Sequence, residues 1–217
     1  MPMNHRIATR RQALGEELLD HYRAVASSTI GHLTDVGYLR GIRPLFGGLR
    51  MVGNVVTVKV FPPDGGILRE ALLLSEPGDV LVIECLGDDC ACWGELRTLA
   101  GRIKGLAGVV VSGSVTDSAA LREHGLPVFC RGISACTTRG NGLEGEINHP
   151  IQVSGTWVYP GDLAVGDDDG VFILDAKRAR DMLPELLAKE QQDRERREVF
   201  LQRLAAQASL LEKMARA

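Results

Sequence analysis

Trp93-Gly94-Glu95-Leu96-Arg97 and Gly113-Ser114-Val115-Thr116-Asp117 are the two stretches that decide the fold, and what lies between them sets their relation. Leu99 to Lys104 reads as a short helix, and Gly108-Val109-Val110-Val111 reads as a buried strand. Asp117 therefore stands at the exit of a strand, where loops and helix N-termini converge in open α/β sheets. Glu95 follows Gly94 and opens the helix, so it adds a carboxylate and free backbone N–H groups to the same crevice. Two carboxylates facing one cleft can hold a hard divalent cation, and exposed amides can hold an anion. The pattern points to a metal-assisted enzyme.

Composition narrows the field. A chain of 217 residues suits one domain with a sizeable core. Apolar residues at 45% and charged residues at 24% are ordinary for a globular protein, and a net charge of −3 gives no general attraction for nucleic acid or anionic membrane. The longest apolar runs are strand-sized, and the N-terminus carries no secretory h-region, so a cytoplasmic protein is expected, with small-molecule or protein partners favoured and no nucleic-acid or membrane partner. Five cysteines include the crowded Cys85, Cys90 and Cys92, but no second matched pair offers zinc spacing, and reduced thiols are expected.

Along the chain, Leu14, Leu18, Leu19, Tyr22 and Val25 predict a helix over about 10–25, and Ser28-Thr29 offers the N-cap of a short second helix through Asp35, ended by Gly37. Met51 to Phe61 predicts a strand, Ile67 to Leu74 a helix and Val80 to Glu84 a strand, with strand and helix alternating up to Val128-Phe129. After Gly132, turn signals separate short strands at Ile151–Val153, Trp157–Val158, Leu163–Val165 and Val171–Leu174, which predicts a β-rich second half completing a sandwich or barrel-like body. Asp167-Asp168-Asp169-Gly170 lacks the glutamate and spacing of a calcium loop and reads as a tight acidic turn. The expected organisation is one α/β domain over 1–175 and a helical extension over 176–217, interrupted at Pro184. That tail is polar from Lys189 to Glu198 and apolar again at Val199, Phe200, Leu204, Leu211 and Met214, which suits docking on a neighbouring subunit or folding back on its own core.

One series of segments resembles a known family. Thr29 with Asp35, Gly41-Ile42-Arg43-Pro44-Leu45, Val52-Gly53-Asn54-Val55-Val56-Thr57-Val58, Pro77-Gly78-Asp79-Val80-Leu81-Val82-Ile83, Gly94-Glu95, Gly105-Leu106-Ala107-Gly108-Val109-Val110-Val111, Pro127-Val128-Phe129-Cys130-Arg131-Gly132 and Val158-Tyr159-Pro160-Gly161-Asp162 follow the order seen in RraA-like proteins. That family includes 4-hydroxy-4-methyl-2-oxoglutarate / 4-carboxy-4-hydroxy-2-oxoadipate aldolases and the protein regulator of ribonuclease E. The resemblance covers roughly residues 25–175 and implies an α-β-β-α swivelling fold, a homotrimer or dimer of trimers, and sites at subunit interfaces. In the aldolases of that family, a closing Arg-Asp pair supplies an aspartate for Mg²⁺ or Mn²⁺ and an arginine that steadies the pyruvyl enolate. The resemblance places Asp117 on the aspartate, Glu95 on the acidic position upstream, and Thr116 where the arginine stands.

A threonine hydroxyl is a neutral donor and does not replace a guanidinium against an enolate charge. Arg97 is the candidate replacement, either projecting into the cleft or solvated on its helix, and His32 is either an acid/base or anion contact or a structural histidine. Two functions follow. In the first, a divalent-metal lyase cleaves a C–C bond of a small 2-oxo or hydroxy dicarboxylic acid, by retro-aldol or β-decarboxylation chemistry. Asp117 anchors the cation, Glu95 orients water on it and relays a proton, and Gly94, Leu96 and Arg97 receive the substrate carboxylate at the helix start. In the second, the chain is a non-enzymatic regulator that masks a ribonuclease. Methyl transfer is disfavoured, because no Gly-rich cofactor-binding turn follows an early strand.

Overall fold

A computed structural model describes residues 4–85, 87 and 90–215, with side chains through 208. In chain order the elements are β1 (Asn4–Ile7), α1 (Glu16–Arg23), α2 (Ser27–Leu33), β2 (Arg43–Pro44), β3 (Met51–Val60), α3 (Ile67–Leu74), β4 (Asp79–Cys85), α4 (Glu95–Lys104), β5 (Gly108–Val115), α5 (Ser118–His124), β6 (Val128–Ile133), β7 (Glu144–Ile147), β8 (Ile151–Val153), β9 (Thr156–Val158), β10 (Leu163–Asp167), β11 (Gly170–Leu174) and α6 (Ala176–Ala215).

The parallel strands β3-β4-β5-β6 form the middle of a nine-stranded sheet, and both of its faces are covered. Strand alternation sorts the valines onto the two faces. Val56, Val58, Leu81, Ile83, Val109 and Val111 face α3 and α5, with Ile67, Leu68 and Leu121 packed on them. Val55, Val80, Val82 and Val110 face the opposite way, against the small β8–β9 ribbon through Ile151, Val153 and Val158. A third apolar cluster joins α1, α2 and the start of α6 to β10 and β11 through Tyr22, Ile30, Leu163, Phe172 and Leu186.

The β-rich part after Gly132 does not close a body of its own. β10 pairs antiparallel with the first half of β3, Leu163 opposite Asn54, and β7 pairs antiparallel near its end, Val58 opposite Ile147. Strand β3 is long enough to carry three partners, so the later strands extend the one sheet. The first helix is also shorter than its apolar spacing suggests. Ahead of Glu16 the chain is held extended by tertiary bonds: the Arg10 guanidinium grips buried Asp79 at 2.6 Å through both nitrogens, and the Leu14 N–H donates to Asn54 Oδ1 at 2.7 Å.

Helix α2 starts at Ser27 without a side-chain cap of its own. Its first N–H groups are satisfied from far along the chain, by Asp167 on Ser27 at 2.7 Å and by Glu190 on Ala26 at 2.9 Å. The acidic turn is likewise structural, since Asp168 also accepts from the N–H groups of Gly48 and Leu49 at 2.9 and 3.1 Å. Helix α6 runs unbroken through Pro184. Ala179 and Leu186 are fully buried, whereas Val199, Phe200 and Leu204 are exposed. The side chains of Leu211 and Met214 lie outside the described residues. Among the described residues, no helix is long and apolar enough to cross a membrane.

Candidate active site at the α4 and α5 N-termini

Buried Trp93 fixes the first edge of the site. Its indole Nε1 donates to Thr98 Oγ1 at 2.8 Å, and its carbonyl accepts from the Thr116 N–H at 2.9 Å, which locks the start of α4 against the end of β5. Between them opens a cleft of about 300 Å³ lined by Gly94, Glu95, Leu96, Arg97, Thr116 and Asp117, together with Ala91, Trp93 and Thr137. Six of the residues singled out in the sequence thus meet in one place. His32 does not join them: it lies on α2 beside Asp193 of α6.

Asp117 takes a left-handed backbone conformation, φ 54°, ψ 38°, at the N-cap of α5. Aspartate tolerates that region better than most residues, and the turn swings its exposed carboxylate across to α4. Oδ2 accepts the Glu95 N–H at 3.0 Å, while Oδ1 receives only a long contact of 3.4 Å from the Thr116 hydroxyl. The approach is close enough that Gly94 admits no side chain, since a Cβ there would stand 2.5 Å from Asp117 Oδ2. The N–H groups of Leu96 and Arg97 have no acceptor among the described residues and face the same opening at the helix start.

Arg97 is half-buried and has no carboxylate partner among the described residues. Its guanidinium donates to the carbonyl of Cys92 and, at 3.1 Å, to that of Gly65. Burial lowers its pKa, with the neighbouring Cys92 acting in the opposite sense, yet a guanidinium stays charged throughout the ordinary range. A half-buried cation held by two neutral carbonyls keeps donors and charge for an anion. The neighbouring Cys92 offers no competing chemistry: hydrogen bonding to Cys85, with burial, holds its thiol well above the ordinary pKa, and buried thiols are poor nucleophiles.

Glu95 has a side-chain partner from α5. Its Oε1 lies 3.0 Å from Nε2 of His124, a residue that sequence reasoning missed. The available signal was slight: His124 closes the helix that Asp117 opens. Among the described residues no group of three His, Cys, Asp or Glu side chains could hold a metal ion. A cation of the magnesium type keeps several waters and takes one or two carboxylates, and Asp117 offers one: it is exposed, and its Oδ1 has no strong partner among the described residues. A larger cavity of about 520 Å³ lies elsewhere, against β8–β9 and the loop after α2, lined among others by Arg40, Trp157, Tyr159, Asp162 and Arg178.

A mixed α/β single domain with a polar cleft at two helix starts and a long C-terminal helix defines the class. The family model described as RraA-like, Aldolase/RraA, matches residues 17–173, and the chain belongs to that family. It is 31% identical over 201 residues, 91% of this chain and 95% of the relative, to a Halalkalibacterium halodurans protein named "Putative 4-hydroxy-4-methyl-2-oxoglutarate aldolase". Among solved structures it resembles Streptomyces coelicolor RraAS2, an unusual member of the RNase ES inhibitor RraA family, with TM-score 0.76, 28% identity and coverage of 86% of this chain and 98% of that one. It also resembles the RNA-processing inhibitor RraA of Thermus thermophilis, with TM-score 0.63 and 28% identity, over 69% of this chain and 92% of that one.

Proposed function

We propose that this chain is a divalent-cation-dependent lyase that cleaves a C–C bond of a small 2-oxo or hydroxy dicarboxylic acid, by a retro-aldol or β-decarboxylation reaction. The observation that carries this reading is the position of Arg97, a guanidinium without a carboxylate partner among the described residues, in the same cleft as Asp117. Either reaction leaves negative charge on a 2-oxo fragment as the bond breaks, and charge of that kind demands a fixed cation in a partly dry site. Arg97 supplies it from α4, where the family's aldolases supply it from the position that Thr116 occupies here.

Asp117 would hold Mg²⁺ or Mn²⁺, whose contribution when bound is Lewis-acid polarisation of the substrate's oxo group. The protein's own groups do the rest. The free N–H groups of Leu96 and Arg97 receive a substrate carboxylate at the positive end of α4. Gly94 lets Asp117 pack against the start of α4, and the Thr116 hydroxyl adds a neutral donor beside Asp117. Glu95 carries the proton that the departing fragment exchanges.

The test is steady-state turnover of oxaloacetate and of 4-hydroxy-4-methyl-2-oxoglutarate with saturating Mg²⁺, for wild type, Arg97→Ala and Thr116→Arg. The expected result is measurable turnover in wild type and a loss of ~10²–10³ in Arg97→Ala, the usual cost of removing one charge-stabilising donor. No turnover in any of the three, across a panel of 2-oxo and hydroxy acids, overturns the reading. Thr116 and the RNase-inhibitor relatives favour the alternative, a non-enzymatic regulator of a ribonuclease, and that alternative predicts no turnover in the panel and slowed RNA cleavage by the partner.

A further inference from the structure

Glu95 is gripped from both ends of one short helix. Its N–H donates to the carboxylate of Asp117, which opens α5, and its side chain meets His124, which closes α5, each at 3.0 Å. That helix is anchored: Leu121 is fully buried on the sheet, and the left-handed Gly125 returns its N–H to the Leu121 carbonyl at 3.1 Å. The two partners are unequally placed. The His124 side chain is 20% exposed and that of Glu95 44%, so the imidazole is the fixed member and the carboxylate the one it directs.

We propose that His124 is a positioning residue: it donates its Nε2–H to Glu95 Oε1, keeps that carboxylate off the cation position and holds it at the cleft as the proton carrier. The proposal rests on the lyase reading for its kinetic consequence, but the hydrogen-bonded pair stands on its own geometry. Charge placement agrees with it, because a carboxylate in the first turn of α4 complements the dipole of that helix. It also separates two roles that the sequence had merged on Glu95, leaving Asp117 as the cation's protein ligand and Glu95 as the acid/base group.

A donor on Nε2 fixes the tautomer of a neutral imidazole, and that gives a readout independent of turnover. In long-range ¹⁵N–¹H spectra at pH 8.5, His124 of the wild type is expected as the Nε2–H tautomer, reverting to a mixture in Glu95→Ala. In kinetics, His124→Ala is expected to lower kcat at least about tenfold while KM and Mn²⁺ affinity by calorimetry stay within about twofold. His124→Gln, which restores a donor without a ring, is expected to regain most of that loss.

An Nδ1–H tautomer in wild type, or a tautomer unaffected by Glu95→Ala, overturns the proposal. So does a His124→Ala variant that keeps its kcat, or one that weakens Mn²⁺ as much as it slows turnover, or a Gln variant that regains nothing. If wild type turns over no substrate, the lyase reading fails, and the tautomer measurement then decides by itself whether His124 holds Glu95.

Discussion

The carboxylate of Asp117 and the backbone nitrogen of Glu95 lie 3.0 Å apart, and this bond ties the exit of β5 to the first turn of α4. Because it uses only Oδ2, the same residue closes the cleft and leaves its other oxygen toward solvent. Asp117→Asn keeps an oxygen for the Glu95 N–H and tolerates the same left-handed backbone, but it removes the formal charge that a hard cation requires. We expect an unchanged melting temperature and no detectable Mg²⁺ or Mn²⁺ binding by calorimetry. Equal affinity in the two proteins removes Asp117 from the site.

Gly94 tests the same contact from the other side. Its backbone is extended, φ −152°, so alanine meets no torsional penalty there, only the 2.5 Å approach to Asp117 Oδ2 and 2.8 Å to Thr116 Cγ2. Gly94→Ala should push Asp117 off the Glu95 N–H, costing about 1–3 kcal/mol of stability and cation affinity with it. Urea unfolding and calorimetry on one preparation check both; an alanine variant that unfolds and binds like wild type contradicts the geometry.

Thr116→Arg separates a missing charge from a supplied one. With Arg97 already in place, the added guanidinium crowds the same cleft, and turnover should fall rather than rise. A gain of turnover in Thr116→Arg, with Arg97→Ala near wild type, assigns the charge-stabilising position to residue 116 and leaves Arg97 structural.

Asp64 holds together the loop that carries Gly142 and Leu143. Its buried carboxylate accepts the N–H groups of Gly66, Asn141, Gly142, Leu143 and Glu144. Burial alone would raise its pKa, but these backbone donors overcome it and the net shift is downward. A depressed carboxylate stabilises the fold above its unfolded pKa and loses that contribution as pH falls through the folded value. Asp64→Ala should therefore cost more than about 3 kcal/mol at neutral pH, with a smaller difference in strong acid, by urea unfolding at each pH.

Asp162 has the opposite sign. Burial pushes its carboxyl up to about 6, with Asp175 adding to the effect and the Tyr159 N–H opposing it. The folded state therefore binds a proton more tightly than the unfolded one, so this group favours folding at low pH and the advantage is lost as pH rises from about 4 to 6. Asp162→Asn should remove that slope and gain up to about 2–3 kcal/mol at pH 7.5 relative to wild type. Unfolding curves at pH 4.5 and 7.5 that differ equally in both proteins would contradict it.

Local signals made much of the sheet readable. Ile67 to Leu74 is α3 to the residue, because an apolar helical pattern stands between Gly66 and a Ser-Glu-Pro stop. The valine runs of β3, β4 and β5 announce buried strands, since both faces of each are covered. Other features are settled only by partners distant in sequence. β1, Asn4–Ile7, is a polar, largely exposed edge strand with no pattern to find. The chain before α1 is extended because Arg10 binds Asp79, which no local spacing reveals. The cleft was legible as a cluster of residue types at a strand exit and a helix start. The anchoring of Arg97 by the carbonyl of Gly65, and the pairing of Glu95 with His124, depend on how α3, α4 and α5 come together.

Helix α6 gives the molecule reach. Its first turns belong to the core, yet residues 194–208 are exposed along their whole length and the helix continues to Ala215. At ~1.5 Å per residue the part beyond residue 193 extends about 33 Å, comparable with the width of a small domain. Whatever covers Phe200 and Leu204 can therefore sit a full domain's breadth from the sheet, and the chain's hydrodynamic size is set by a rod as much as by its globule.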